Sequence, residues 1–222
     1  MSSPITLQDF HAKALADYGI ADLWPEAVLK EAKTKKEYIT KEIDALETFP
    51  FVTIDGEDAK DFDDAIFCEF SDHGFHLKVA IADVSFYVKE GSALDFEAAK
   101  RTTSVYMPRK VVPMLPEKLS NELCSLQPNK RRRCLCIEMD FDKDGYINSY
   151  KFHRGIIKSV ARLTYTEVEN QLINGVKDSD YAESLKAAIA LFNKLIINKG
   201  YRGALDFTIS EPLVQTNSCL LY

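Results

Sequence analysis

The densest concentration of reactive side chains runs from Thr53 to Ala65: Thr53-Ile54-Asp55-Gly56-Glu57-Asp58-Ala59-Lys60-Asp61-Phe62-Asp63-Asp64-Ala65. Six of the ten residues from Asp55 to Asp64 are acidic, against the single base Lys60. Carboxylates packed this closely repel one another unless cations or solvent lie between them. The cluster is wedged between the apolar runs Phe51–Ile54 and Ala65–Phe67, so a core pins both of its ends. A pinned acidic loop suits a hard divalent cation such as Mg²⁺, which takes several oxygen ligands in near-octahedral geometry. In an extended segment Asp61 and Asp63 share a face while Phe62 turns away as an anchor. Asp55 ends the preceding strand and can fold back to complete a carboxylate cage. The alternative is a solvated acidic loop whose aspartates only form turns and caps.

The elements around this loop follow from local signals. Residues 1–49 read as a helical lead-in. Thr6 caps a helix whose apolar face is Leu7, Phe10, Ala14, Leu15 and Tyr18, and Gly19 stops it. Pro25 suits the first position of a second helix, and the Lys-rich stretch from Lys30 to Lys41 reads as a solvated helix face or linker. Phe51–Ile54 is a short strand. Asp63–Phe70 and Phe75–Ala82 form a hairpin across Ser71-Asp72-His73-Gly74. Ser92 caps a helix from Ala93 to Arg101. Pro108, Pro113, Pro116 and Pro128 make the following segment mostly loop. A second hairpin, Cys134–Phe141 and Tyr146–Ile157, turns at Asp142-Lys143-Asp144-Gly145. Thr164 or Thr166 then caps a helix through Leu172, and an amphipathic helix runs from about Asp180 to Asn198. The order predicts an α+β fold in which β-hairpins are flanked by helices.

Composition bounds the function. The chain has 222 residues, 46% hydrophobic and 28% charged, enough to build a core. No apolar run reaches the roughly 18–20 residues that span a bilayer, and the N-terminus lacks the pattern of a secretory signal, so the expectation is a soluble, cytoplasmic protein with no membrane partner. The formal net charge of −6 argues against nucleic-acid binding by bulk electrostatics and leaves that work to local cations or metals. Five cysteines without repeated pairing suggest buried thiols rather than disulfides. Arg131-Arg132-Arg133, after Lys130, form the strongest basic patch, either contacting phosphates or capping a solvated loop. Asp140 to Gly145 imitates the opening of a calcium loop, but Lys151 stands where a bidentate Glu is needed, so a hairpin turn explains it better. The histidines His11, His73, His76 and His153 show no ligand spacing.

The segment Phe51–Ala65 resembles the signature of the ribonuclease II/ribonuclease R family of 3′→5′ exoribonucleases. The likeness continues through Val79–Ser85, Thr103–Pro108, Val111–Leu126 and Ala161–Thr166, and is nearest to the ribonuclease R branch. The resemblance implies that residues 50–222 belong to an RNB-type catalytic domain. It implies that Asp55, Asp61, Asp63 and Asp64 bind Mg²⁺ at the scissile phosphate, with Asp63 the most sensitive for catalysis. Glu57 and Asp58 belong to the motif as loop-shaping residues. Tyr106 matches the tyrosine that packs on the base at the 3′ end of single-stranded RNA; without the resemblance it reads as core packing. After Gly203–Phe207 the likeness decays into Leu213–Tyr222, so the chain is expected to be the front portion of the catalytic domain. The implied activity is hydrolysis of single-stranded RNA to 5′-mononucleotides. The alternative is an incomplete catalytic domain that binds Mg²⁺ or RNA without turnover.

Overall fold

The computed structural model describes residues 6–37, 43–205, 216–217 and 220–221. The Lys-rich run beyond Glu37, Cys219 and most of the tail after Leu205 lie outside the described residues. Among the described residues two compact units are present, each assembled from separate stretches of chain: one includes residues 6–35 and 88–117, the other 43–87 and 118–205.

The first unit begins with α1 (Leu7–Asp17). Its N-cap Thr6 accepts from the Asp9 amide while the Asp9 carboxylate reaches back to the Thr6 amide, satisfying two donors that the first turn leaves over. The stop at Gly19 is real, with φ of +63°. Helix α2 (Glu26–Thr34) starts one residue later than the sequence suggests, with Pro25 as its N-cap. Ser92 caps α4 (Ala93–Arg101) through the Asp95 amide. Helices α2 and α4 meet, and the Glu31 carboxylate accepts from the Leu94 amide at 3.0 Å. In this unit the proline-rich stretch supplies the short pair β5 (Val105–Met107) and β6 (Lys110–Val112). His11 is buried, and its Nε2 lies 2.9 Å from the Pro108 carbonyl oxygen, a tether that no ligand spacing foretold.

The second unit is built on a seven-stranded sheet. Its strands are β1 (Asp44–Ala45), β2 (Val52–Asp55), β3 (Asp64–Ser71), β4 (Gly74–Ala82), β7 (Arg131–Asp142), β8 (Ile147–Lys158) and β9 (Ala161–Thr164), in the spatial order β1-β8-β7-β4-β3-β2-β9. Both expected hairpins form, β3 with β4 and β7 with β8. The Asp142 carboxylate takes the amides of Asp144 and Tyr146, so the calcium-like run is a hairpin turn. Two strands were not expected: β1 pairs parallel with β8, and β9 pairs parallel with β2.

Helix α6 (Ala182–Tyr201) lies against β3 and β4, and Ala187 and Leu191 join Cys68, Phe75 and Phe141 in one buried cluster. Leu185 joins Val52 and Leu163 in another, beneath the strand that carries Asp55. Burial of each such leucine is worth about 1.5–3 kcal/mol. Helix α5 (Tyr165–Asn174) is capped by Thr164, which settles the choice between the two threonines. A single-turn helix α3 (Val84–Tyr87) and a π-helical turn, Lys118–Leu123, complete the unit. The α+β architecture is therefore present as expected. Among the described residues no helix is long and apolar enough to cross a membrane.

The basic patch is corrected. Arg131–Arg133 lie within β7, and Arg132 and Arg133 are buried. Arg132 donates to the Ser125 carbonyl and to Glu37, Arg133 lies 3.7 Å from Asp83 and over the Phe86 ring, and Arg131 pairs with Glu47. Buried guanidinium groups need partners, and the acidic partners Glu37, Glu47 and Asp83 are distant in sequence.

Candidate functional site

The acidic loop connects two strands that the sheet places side by side. Strand β2 delivers Asp55 at its end, and β3 begins at Asp64, so residues 56–63 must leave the sheet and return. The return is pinned where Phe62 is buried. The Phe62 amide donates to the Ser125 hydroxyl at 3.1 Å, that hydroxyl donates to the Lys60 carbonyl at 2.8 Å, and the Leu126 amide donates to the Phe62 carbonyl at 2.8 Å. The Asp63 carbonyl accepts from the Ala82 amide at the edge of β4. Phe62 thus turns inward as an anchor, and the Asp63 and Asp64 side chains are exposed while Asp55 and Asp61 are half-buried.

The outgoing half of the loop is held from β9. Parallel pairing sets Thr53 beside Arg162 and Asp55 beside Thr164. The Arg162 guanidinium donates through Nη2 to the carbonyls of Gly56 and Glu57, at 2.6 Å each. In the sequence this arginine stands out only as part of the resembling run Ala161–Thr166. Its place within a strand-like stretch, Val160-Ala161-Arg162-Leu163-Thr164, is the one signal that it belonged to the sheet.

The electrostatics of the rim are those of crowded acids. Burial, then the charge of Asp64, push the Asp55 carboxyl up to about 6; Arg162 works in the opposite direction, and Asp61 and Asp63 add to the rise. Asp63 is also raised, first by the protein around it and then by Asp61 and Asp64. The four aspartates therefore sense one another across a single rim. They do not form a closed cage: among the described residues no three His, Cys, Asp or Glu side chains are drawn together closely enough to hold a metal ion. The donor set still fits a hard dication, since it consists of carboxylate oxygens whose mutual repulsion a cation would relieve.

Tyr106 lies on β5, in the other compact unit, and its side chain is 67% exposed, which excludes ordinary core packing. Glu57 and Asp58 are exposed at the turn of the loop. The thiols of Cys68, Cys124, Cys134 and Cys136 are all buried and unpaired with one another. Burial pushes Cys68, Cys124 and Cys134 up to about 12, which disfavours the reactive thiolate.

Comparison with known proteins adds the wider context. The model of the RNB domain matches residues 43–220. Ribonuclease R of Acidithiobacillus ferrooxidans is 44% identical over 202 residues, covering 87% of this chain and 46% of that protein. Ribonuclease R of Escherichia coli K12 is 44% identical over 208 residues, covering 89% of this chain and 26% of that protein. The chain thus spans between about a quarter and a half of the length of these curated relatives. The structure of Mycoplasma genitalium RNase R in complex with ribose-methylated single-stranded RNA superposes with a TM-score of 0.90 at 33% identity, over 97% of this chain and 35% of that one. A family model that takes in the acidic loop, both hairpins and the strand bearing Arg162 leaves one assignment: the chain belongs to the RNB domain family.

Proposed function

We propose that this chain carries the hydrolytic centre of a 3′→5′ exoribonuclease of the ribonuclease R type, acting on single-stranded RNA in the cytoplasm and releasing 5′-mononucleotides. The observation that carries the reading is the rim of four aspartates, Asp55, Asp61, Asp63 and Asp64, on one loop between adjacent strands. RNA bound to the Mycoplasma genitalium relative supports the substrate class. The aspartates would hold Mg²⁺, which when bound supplies Lewis-acid stabilisation of phosphoryl charge and a more acidic water.

The chain's own groups divide the remaining work. The carboxylates would hold the cations, and bound cations would offset the negative net charge that otherwise repels RNA. Asp63 is the residue whose loss should cost most. Tyr106 offers an exposed ring on which the base at the 3′ end can stack, an interaction worth about 1–3 kcal/mol and tolerant of any base. Glu57 and Asp58 shape the turn of the loop.

The test is incubation of the purified chain with 5′-labelled single-stranded RNA and Mg²⁺, beside Asp63→Asn and an EDTA control. Stepwise shortening from the 3′ end, lost in both controls, is the expected result. A folded chain that retains RNA but never shortens it would replace this reading with binding without turnover.

A further inference from the structure

The loop that carries the aspartates is fixed at two points by side chains that are not themselves acidic. Arg162 takes the carbonyls of Gly56 and Glu57 on the outgoing half, both at 2.6 Å. Ser125, fully buried, bridges the Lys60 carbonyl and the Phe62 amide on the returning half. Between these points lie Asp58 and Ala59; Asp61 sits between the two groups that Ser125 bridges, and Asp55, Asp63 and Asp64 lie just outside. The Arg162 Nε is buried and has no hydrogen-bond partner among the described residues, and its guanidinium carbon is 5.8 Å from the Phe62 ring centre.

A polar contact of this kind is needed for a physical reason. Repelling carboxylates on a free loop would spread apart into solvent. Holding them at one rim requires contacts made to the backbone, so that the carboxylate oxygens stay available. Arg162 spends both of its described hydrogen bonds on carbonyls and none on an aspartate side chain. Ser125 likewise binds only backbone groups of the loop.

We infer that Arg162 and Ser125 are positioning residues, a two-point clamp on the loop backbone that holds the four aspartates at one rim, so that a divalent cation has only to draw them together. The inference rests on the metal reading proposed above. It makes a prediction opposite in sign to simple electrostatics. By charge alone Arg162 repels a dication, and replacing it with a neutral residue should tighten binding. A clamp requires the reverse, since loss of outer contacts that orient ligands typically weakens metal affinity about 10–100-fold.

The experiment titrates Mn²⁺ alone into the folded chain, reading free Mn²⁺ by electron paramagnetic resonance, for wild type, Arg162→Gln, Ser125→Ala and Asp63→Asn. Hydrogen exchange of the amides from 57 to 63 is followed in parallel. Both clamp variants are expected to bind Mn²⁺ about tenfold or more weakly, with faster exchange confined to the loop. Ser125→Ala changes no charge, so its loss of affinity cannot be electrostatic. Wild type that binds no Mn²⁺ removes the metal reading and this inference with it. Wild type that binds, and loses affinity in Asp63→Asn, while Arg162→Gln binds as tightly or more tightly, overturns the clamp and leaves the metal reading standing. If Arg162→Gln does not fold, Ser125→Ala decides the question: unchanged affinity and unchanged loop exchange overturn the clamp.

Discussion

One sheet holds charge in two opposite ways. Across its middle, on the face away from α6, Lys78 is 5% exposed and sits 2.6 Å from Glu138. His153 reaches Glu138 through Nε2 at 3.1 Å and Asp44 through Nδ1 at 2.6 Å, linking β4, β7, β8 and β1. At the sheet's other side, between β2 and β3, four aspartates share a rim where Arg162 is the counter-charge acting on Asp55 against three further acids. In the first region buried Lys78 faces the Glu138 carboxylate, and His153 lies between Glu138 and Asp44. In the second, like charge is concentrated and the backbone is clamped instead. The first arrangement serves the fold. The second works against it electrostatically, as expected where stability is given up for a site.

The widest separation between the two regions should come from Asp63→Asn. Removing one carboxylate from the rim is expected to lower turnover of single-stranded RNA by at least about a hundredfold, the scale of losing one group that stabilises developing charge. The melting temperature should not fall, because no ion pair is lost. A variant that loses its fold together with its activity would erase the contrast, since Asp63 would then belong with Lys78 and Glu138. Circular dichroism melting beside the RNA assay checks both halves.

Lys78→Met should do the reverse. Nζ lies over the Phe49 ring, 4.5 Å from the centroid, a contact that Met gives up, and Glu138 loses its nearest partner. Breaking a buried pair by removing one member costs about 3–5 kcal/mol. With His153 still in contact, about 2–3 kcal/mol is expected here, read from urea unfolding. Mn²⁺ affinity of the folded fraction should be unchanged.

The same pair gives a smaller, pH-dependent effect. Burial pulls Glu138 upward, but the hydrogen bond and charge of Lys78, helped by His153 and His76, hold its carboxyl below the ordinary 4.5. A depressed acid stabilises the fold above its unfolded value, and that contribution is lost as pH falls through the folded one. The stability difference between wild type and Glu138→Gln should therefore be full at neutral pH. It should shrink as pH drops below about 4.5, the ordinary value from which the folded carboxyl is lowered. Urea midpoints at pH 7 and pH 3.5 test it.

Much of the sheet was legible because its signals are local. Thr6, Ser92 and Thr164 announce their helices by capping chemistry, and the turns at Asp72-His73 and Asp142–Gly145 fix both hairpins. The acidic loop was legible too, from composition and from the flanking apolar runs. What escaped was everything that depends on partners far along the chain. Strand β9 is four residues long, and its parallel pairing with β2 joins segments more than a hundred residues apart, so no turn marks it. Arg131–Arg133 looked like a surface patch because Glu47, Glu37 and Asp83 are remote in sequence. Arg162 combined both difficulties: its strand was invisible, and so was its hold on the loop. The candidate site residues could be named from sequence. The side chains that position them could not.

The smallest expected effect is the most discriminating for the electrostatic account of the rim. Asp64 is exposed, opens β3 opposite Ile81, and contributes to the rise of both Asp55 and Asp63. Asp64→Asn keeps the shape and removes one charge from four. If the rim is held against its own repulsion, unfolding in metal-free buffer at neutral pH should become harder by about 0.5–1 kcal/mol, within the usual range for relieving an unfavourable surface charge. The gain should shrink in high salt, because exposed charges are screened over a Debye length of about 3 Å at 1 M. It should also shrink when Mn²⁺ is added, because the cation stabilises the folded wild type by binding and Asp64→Asn binds it less well. A loss of stability in metal-free buffer would mean that Asp64 is paired in the manner of Glu138, and the two ends of the sheet would then handle charge by the same rule.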